Sequence, residues 1–141
     1  MKKVCWFLIV VLLLGCFAGC QQLNPGAKGP IQNEDGTLSD WMKEEIAQRW
    51  TDVIWYEENP MVGTRYYGTE NGYVFLFSYG IACSEKTLVI GEYRFYCASD
   101  FDLFAYKDGK FSYVKDLYAD GVLSDACIEK IYNIHNRYGS R

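Results

Sequence analysis

Three short turn sequences divide the middle of this chain into strands. They are Asn71-Gly72, Gly91-Glu92 and Asp108-Gly109. Asn-Gly and Asp-Gly pairs favour two-residue β-hairpin turns, because asparagine, aspartate and glycine accept a positive φ at low cost. A hairpin makes its two strands antiparallel neighbours. Three turns in succession therefore predict a meandering antiparallel sheet of five or six strands.

The residues on either side of these turns alternate between apolar and polar, with the period of two that is typical of strands. Six strands are predicted on this basis, at residues 65–68, 73–79, 87–90, 93–97, 101–106 and 111–114.

A helical pattern precedes and follows the predicted strands. Thr37-Leu38-Ser39-Asp40 resembles a capping box and predicts a helix over residues 38–53, with an apolar stripe at Met42, Ile46, Trp50 and Val53. Ser124 is expected to cap a last helix with a stripe at Cys127, Ile131, Ile134 and Tyr138. Between them, residues 116–121 predict one helical turn closed by Gly121. The expected fold is α+β: one antiparallel sheet covered by an N-terminal and a C-terminal helix.

The first nineteen residues have the layout of an export signal. Lys2 and Lys3 supply positive charge, residues 4–17 are almost wholly apolar, and the small residues Ala18 and Gly19 follow. The apolar run is shorter than the roughly 20 residues that a membrane-spanning helix needs. We therefore expect residues 1–19 to be a cleaved signal peptide.

The end of this segment resembles the lipobox of bacterial lipoproteins. Phe17-Ala18-Gly19-Cys20 places a cysteine after two small residues, and Leu13-Leu14-Gly15-Cys16 is a second, overlapping candidate. The resemblance implies that Cys20, or alternatively Cys16, carries a diacylglycerol, and that the new N-terminus can carry a further acyl chain. Two or more chains are needed for stable anchoring. The implied location is the extracytoplasmic face of a cell membrane, in a one-membrane or a two-membrane host. Gln21 after the cysteine implies no retention signal of the kind used in two-membrane bacteria.

Residues 20–36 are polar and rich in glycine and proline, which is typical of a flexible tether. Residues 37–141 then suit a single small domain. Removal of residues 1–19 takes away two lysines and no acidic residue, so the mature chain is more acidic than the net charge of −4 of the full sequence. This acidity makes a nucleic-acid partner unexpected.

The sequence contains 12 tyrosines, 8 phenylalanines and 4 tryptophans, a large share for a chain of 141 residues. Tyrosine can pack its ring in a core while its hydroxyl stays in water. The rings therefore either fill the core of a small sheet or form a binding face. For the second case the candidates are the tyrosines of the predicted strands: Tyr66, Tyr67, Tyr73, Tyr93 and Tyr96.

Export places the three remaining cysteines in a compartment where disulfides persist. Cys83 and Cys97 flank a predicted hairpin and could form a disulfide, leaving Cys127 buried and free. A Cys83–Cys127 disulfide and three reduced core cysteines are the alternatives. No metal site is expected, because no C-x-x-C spacing occurs and His135 is the only histidine.

The sequence contains no motif that indicates catalysis or a cofactor. His135 lies eight residues after Cys127, roughly 12 Å along a helix, which is too far for a thiolate–imidazole pair. It is expected on a helix face near the C-terminus, where the helix dipole favours its charge. The acidic pairs Glu57-Glu58 and Asp100/Asp102 are expected to be solvated carboxylates. We therefore do not expect an enzyme.

A second resemblance covers most of residues 63–138. The stretches 66–74, 106–111 and 121–124, together with Ile134-His135-Asn136, resemble small exported bacterial proteins of uncharacterised activity. The expectation that follows is a membrane-anchored lipoprotein that binds a protein or cell-wall component at the envelope. The alternative is an inhibitor of a secreted hydrolase such as a lysozyme or protease. The ligand and the oligomeric state do not follow from the sequence.

Overall fold

The computed structural model describes residues 28–81 and 84–138 as an α+β fold with antiparallel sheets, as the sequence predicted. The described helices are α1 (Asp40–Arg49), α2 (Val114–Ala119) and α3 (Asp125–Tyr138). The described strands are β1 (Gly63–Glu70), β2 (Tyr73–Tyr79), β3 (Lys86–Ile90), β4 (Tyr93–Cys97), β5 (Phe101–Lys107) and β6 (Lys110–Tyr113).

These strands form two sheets, which corrects the prediction of a single meander. One sheet has four strands in the order β1-β2-β5-β6, and β3 pairs only with β4. The second edge of β2 pairs with β5, from Val74↔Tyr106 to Tyr79↔Phe101. Turn residues fix the pairing of sequential strands, whereas the partner on the other edge depends on packing between distant residues. The sequence pattern therefore predicted the hairpins and missed their separation into two sheets.

The three predicted turns adopt the conformations that their residues favour. Asn71 and Gly72 both have positive φ, 52° and 79°, and Asp108 and Gly109 have φ of 50° and 80°. Two successive positive φ values match the type I′ hairpin turn. At Gly91, φ is 60° and the following residue is not positive, as in a type II′ turn.

Helix α1 covers one face of the four-stranded sheet. Its buried Met42 and Ile46 pack in a cluster with Val74 and Leu76 of β2 and Tyr106 of β5. Partly buried aromatic side chains complete this cluster: Trp41, Trp50, Tyr66, Phe104 and Phe111.

Helix α3 and the β3–β4 hairpin cover the opposite face. Phe75 and Phe77 alternate with Val74 and Leu76 along β2, and they therefore point to this second face. They share a core cluster with side chains of the hairpin, β5 and α3, among them Ile90, Phe95, Phe101, Leu103, Ile128 and Ile131. The terminal helices therefore lie on opposite faces of the larger sheet, and α3 shares its face with the hairpin.

The start of α1 differs from the predicted capping box. The Thr37 hydroxyl donates to Asp35 Oδ1 at 2.6 Å, and the N-cap residue is Ser39. Ser39 makes no side-chain cap hydrogen bond, and its buried Oγ has no hydrogen-bond partner among the residues that the structure describes. The helix also ends at Arg49, earlier than predicted, because Trp50 leaves the helical conformation with φ −132° and ψ 84°.

The predicted cap of the last helix is confirmed. The backbone N–H of Cys127 donates to Ser124 Oγ at 3.2 Å. The turn before it is also confirmed, since Gly121 has φ of 73° and follows the short helix α2.

Residues 28–36, which belong to the predicted tether, lie against the domain. Gln32 bridges to Leu38, and the Tyr66 hydroxyl donates to Gln32 Oε1 at 2.7 Å. The Trp41 indole N–H donates to the Pro30 carbonyl at 3.1 Å. The ordered chain therefore includes these residues before α1.

Candidate functional site

A cavity of about 690 Å³ lies where β2 and β4 end, beside the C-terminal end of α3. Its volume is within the range of small-molecule sites, about 300–1,000 Å³. The side chains around it are mostly aromatic or apolar, with two arginines; they are Tyr56, Pro60, Met61, Arg65, Tyr67, Phe77, Tyr79, Gly80, Ile81, Cys97, Ala98, Ser99, Arg137 and Tyr138.

The guanidinium group of Arg65 lies over two tyrosine rings. Its Cζ lies 3.5 Å from the ring centroid of Tyr56 and 4.3 Å from that of Tyr138. Both distances are well within the range of cation–π contacts. Tyr56 comes from the segment between α1 and β1, and Tyr138 is the last residue of α3. Contacts with both rings restrain the half-buried arginine at the cavity wall.

The two arginines of the cavity have no acidic partner among the described residues. Every ion pair found in residues 28–81 and 84–138 involves a lysine: Lys28–Glu45, Lys43–Glu57, Lys86 with Asp100 and Asp102, and Lys130–Glu70. Arg65 and Arg137 therefore place uncompensated positive charge at one cavity of an acidic chain.

Tyr67 and Phe77 form the buried floor of the cavity. Their rings stack with centroids 5.1 Å apart and planes 2° from parallel. Behind them, the Tyr67 hydroxyl lies 3.0 Å from His135 Nδ1, and His135 Nε2 lies 2.7 Å from the Tyr96 carbonyl oxygen. A carbonyl only accepts, so Nε2 carries the proton and Nδ1 accepts from Tyr67.

His135 is buried and neutral, which differs from the charged helix-end histidine that the sequence suggested. Burial lowers the pKa of His135, and burial raises the pKa of Tyr67. The helix dipole favours a cation near the last turn, but the imidazole is only 2% exposed and desolvation outweighs that effect. The hydrogen bond between Tyr67 and His135 therefore links the floor of the cavity to α3.

The structure distributes the predicted tyrosine face over several surfaces. Tyr66 packs on the side of α1, and Tyr67 is buried on the opposite face. Tyr73 and Tyr93 are partly buried against the core beneath α3. Tyr96 is 46% exposed on the outer side of the β3–β4 hairpin. Of the five, only Tyr67 borders the cavity.

Two of the remaining cysteines lie in the described part of the chain. Cys97 is buried at the cavity, and its Sγ lies 3.3 Å from Ser99 Oγ. Cys127 is a buried residue of α3, and burial raises the pKa of its thiol to about 12. Cys83, Cys20 and Cys16 lie outside the described residues. The disulfide between Cys83 and Cys97 and the acylation of Cys20 therefore stay predictions.

The sequence did not indicate the cavity residues Tyr56, Arg65, Arg137 and Tyr138. One signal was present: Arg65 lies two residues before the inward-facing Tyr67, so strand alternation places it on the same face. Nothing local indicates that its two stacking partners come from the segment before β1 and from the end of α3. The predicted acidic pairs have lysine partners, since Glu57 pairs with Lys43 and both Asp100 and Asp102 pair with Lys86.

Within the described ranges, no group of three or more histidine, cysteine or acidic residues is placed to hold a metal ion. None of the helices described is long and apolar enough to cross a membrane. No protein-family model, curated protein or solved structure matches this chain. The resemblance to small exported bacterial proteins therefore stays a prediction, and the cavity is the main guide to function.

Proposed function

We propose that this protein is a lipid-anchored binding module on the extracytoplasmic face of a bacterial membrane, and that its ligand occupies the cavity around Arg65. The observation that carries the proposal is a pair of arginines in a concave, aromatic-walled site, for which residues 28–81 and 84–138 supply no acidic partner. A few polar groups in a largely apolar cavity are typical of ligand sites.

The residues beneath the cavity support binding in preference to catalysis. His135 and Tyr67 are the titratable pair nearest to its floor, and they are hydrogen-bonded to each other. Burial moves the pKa of His135 down and that of Tyr67 up, so both stay neutral near pH 7. A general acid or base works best when its pKa lies near the working pH.

The proposed location depends on the lipobox at Cys20. An acyl anchor followed by a short polar segment would hold the domain close to the membrane surface. Under this proposal the cavity binds a molecule of the cell envelope, either a cell-wall component or a protein near the membrane.

The experiment compares two glycine substitutions. Gly80 borders the cavity, and a Cβ there meets no heavy atom within 4 Å, so Gly80→Trp places a large ring at the site without a backbone clash. Gly29 is equally open but lies outside the cavity, and Gly29→Trp is the matched control. The full chain is purified from envelope fractions, and native mass spectrometry measures bound ligand.

We expect the wild type and Gly29→Trp to retain the same ligand and Gly80→Trp to lose it. Equal retention by Gly80→Trp would place the ligand elsewhere. A wild-type protein that retains no ligand at all would count against the binding function itself.

Inhibition of a secreted hydrolase is a second proposal, favoured by one observation. Met61 and Ile81 border the cavity and are 81% and 76% exposed, so two apolar side chains project beside it. An inhibitor can insert such side chains into the cleft of an enzyme. A panel of lysozymes and proteases is assayed with the wild type and with a Met61→Ala, Ile81→Ala double variant. If no enzyme loses activity with the wild type, this proposal is wrong.

A further inference from the structure

We infer that the cavity binds a carboxylate attached to an aromatic or branched apolar group, with Arg65 as the carboxylate-binding residue. This inference rests on the proposed binding function and gives the chemistry of its ligand. It follows from the stacking of Arg65, from the unpaired charge and from the lining of the cavity.

The stacking restricts how Arg65 can bind. The Arg65 Cζ lies over the rings of Tyr56 and Tyr138, and a ring in this position contacts the face of a guanidinium and leaves N–H groups at its edge for a ligand. These donors form a planar fork that matches two oxygens of one acceptor group. Because both rings already restrain the side chain, little side-chain entropy is lost on binding. The fork therefore fits a planar, bidentate anion.

The absence of an internal counter-ion makes an anion the expected ligand. No carboxylate of the described residues pairs with Arg65 or with Arg137, which is exposed at the cavity rim. Five acidic side chains in this part of the chain are instead paired with lysines outside the cavity lining. An arriving anion would find two cations and no repelling carboxylate in the cavity lining.

The apolar lining distinguishes a carboxylate from a phosphate. Tyr67 and Phe77 are buried at the floor, and Met61 and Ile81 border the opening. A phosphate monoester carries about −1.5 to −2 charges near pH 7 and costs more to remove from water than a carboxylate with one charge. The partly exposed rings of Tyr56 and Tyr79 in the cavity lining offer contact surface for a ring on the ligand. A carboxylic acid with an apolar body can bind Arg65 through its carboxylate and pack its body against the apolar lining.

Calorimetric titration of the purified full chain tests this inference with matched probes. The first pair is 3-phenylpropionate and its neutral amide, which have nearly the same shape. Acetate lacks the apolar body, and phenyl phosphate replaces the carboxylate. We expect the acid to bind about tenfold or more tightly than the amide, since hydrogen bonds to a charged partner are the stronger ones. Acetate and phenyl phosphate should both bind more weakly than the acid.

Substitutions assign the effect to Arg65. Arg65→Met should weaken acid binding at least tenfold and leave amide binding unchanged, whereas Arg65→Lys should restore little, because an ammonium lacks the fork. Arg94, exposed on the outer side of the β3–β4 hairpin, supplies the control, and Arg94→Met should change nothing. Arg137→Met is a second variant at the exposed rim and should weaken acid binding to a smaller degree.

A free small acid and the C-terminus of a peptide share this chemistry. A short glycine peptide that ends in phenylalanine, with a free carboxylate or a C-terminal amide, separates the two sources. Tighter binding of the free-carboxylate peptide than of 3-phenylpropionate would indicate a chain end, and the reverse order would indicate a small acid. Either order supports the inference, provided that the amide forms bind weakly.

Several results would overturn it. They are equal binding of acid and amide, tighter binding of phenyl phosphate, acetate binding as tight as that of the acid, and no binding of any probe to the wild type. The Gly80→Trp experiment does not depend on the probes. Loss of the envelope ligand in that variant would therefore still support the proposed binding function, even if the inferred carboxylate chemistry is wrong.

Discussion

Four aromatic rings surround His135 in the core. The centroids of Phe77, Phe95, Phe101 and Tyr67 lie 5.1, 5.3, 5.9 and 6.0 Å from that of the imidazole. Both ring nitrogens have partners, Tyr67 and the Tyr96 carbonyl. Protonation of Nδ1 would turn the acceptor of the Tyr67 hydroxyl into a second donor and would place a charge in apolar surroundings. The neutral form is therefore the folded form.

The pH dependence of stability should report this burial. The pKa of His135 is near 6.5 in the unfolded chain and lower in the fold, so the unfolded chain takes up the proton first as the pH falls. The contribution of His135 to the free energy of unfolding should be complete above about pH 6.5 and should decrease below it. Urea denaturation of the wild type and His135→Gln between pH 5 and 8 measures it.

At pH 8 we expect His135→Gln to lower the free energy of unfolding by about 1–3 kcal/mol, because buried groups lose their partners. The difference between the two proteins should shrink toward pH 5. A constant difference across this range would contradict the assignment of a neutral, buried imidazole.

At the residue scale, the sequence identified His135 as the single histidine, on the last helix. It did not indicate that the imidazole is buried and neutral. Its hydroxyl partner lies 68 residues away along the chain. The sign of its pKa shift depends on whether burial or the helix dipole is the larger effect, and burial follows from tertiary packing that a local pattern does not contain.

Two helices begin with a serine N-cap, and only one of the serines makes the cap bond. Ser124 accepts from the Cys127 N–H at the start of α3, whereas the buried hydroxyl of Ser39 before α1 has no partner in the described part of the chain. Ser124→Ala should therefore lower the free energy of unfolding by about 1 kcal/mol. Ser39→Ala should leave it unchanged or raise it, because a buried unsatisfied hydroxyl costs free energy.

Thermal and urea denaturation of the two single variants measure this contrast. Each substitution removes the same atom from the residue immediately before a helix, so the pair controls for helix propensity. Equal destabilisation by both would show that Ser39 has a cap bond in solution.

At the scale of elements, local chemistry predicted most of what was found. The turn pairs at Asn71, Gly91 and Asp108 identified all three hairpins, and Ser124 and Gly121 identified the boundaries of the last helix and the turn before it. The separation of β3–β4 into its own sheet was not predicted. It depends on whether Phe75 and Phe77 of β2 are covered by a hairpin and by α3, and side chains distant in sequence decide this.

The whole molecule combines an N-terminal segment with lipoprotein features and a domain that carries the cavity. The proposed anchor predicts that Cys20→Ser releases the protein from the membrane fraction, because the thioether cannot form. Intact-mass measurement of the membrane-extracted wild type should give an acylated chain that begins at Cys20.

Cys16→Ser is the control, and this variant should remain in the membrane fraction with the same mass at its N-terminus. A chain that begins at Cys16, or one without acyl groups, would show that the anchor assignment is wrong.

The cavity could not be predicted at this scale from the sequence. Its central contact joins Tyr56, Arg65 and Tyr138, which lie in three separate segments, and the sequence signals for each are weak when taken alone. The composition did predict the residue type that dominates the site, because the acidic chain has a surplus of aromatic residues. It did not indicate which rings would face solvent, and the expected face of five strand tyrosines was dispersed by the two-sided burial of the larger sheet.

The reactivity of the buried Cys127 thiol can report whether α3 is packed on the sheet. Burial raises the pKa of this thiol to about 12, so very little thiolate is present near pH 7. An alkylating reagent therefore modifies this position only after α3 has detached from the sheet. The rate at which iodoacetamide labels Cys127 in the native protein would therefore measure how often the domain opens.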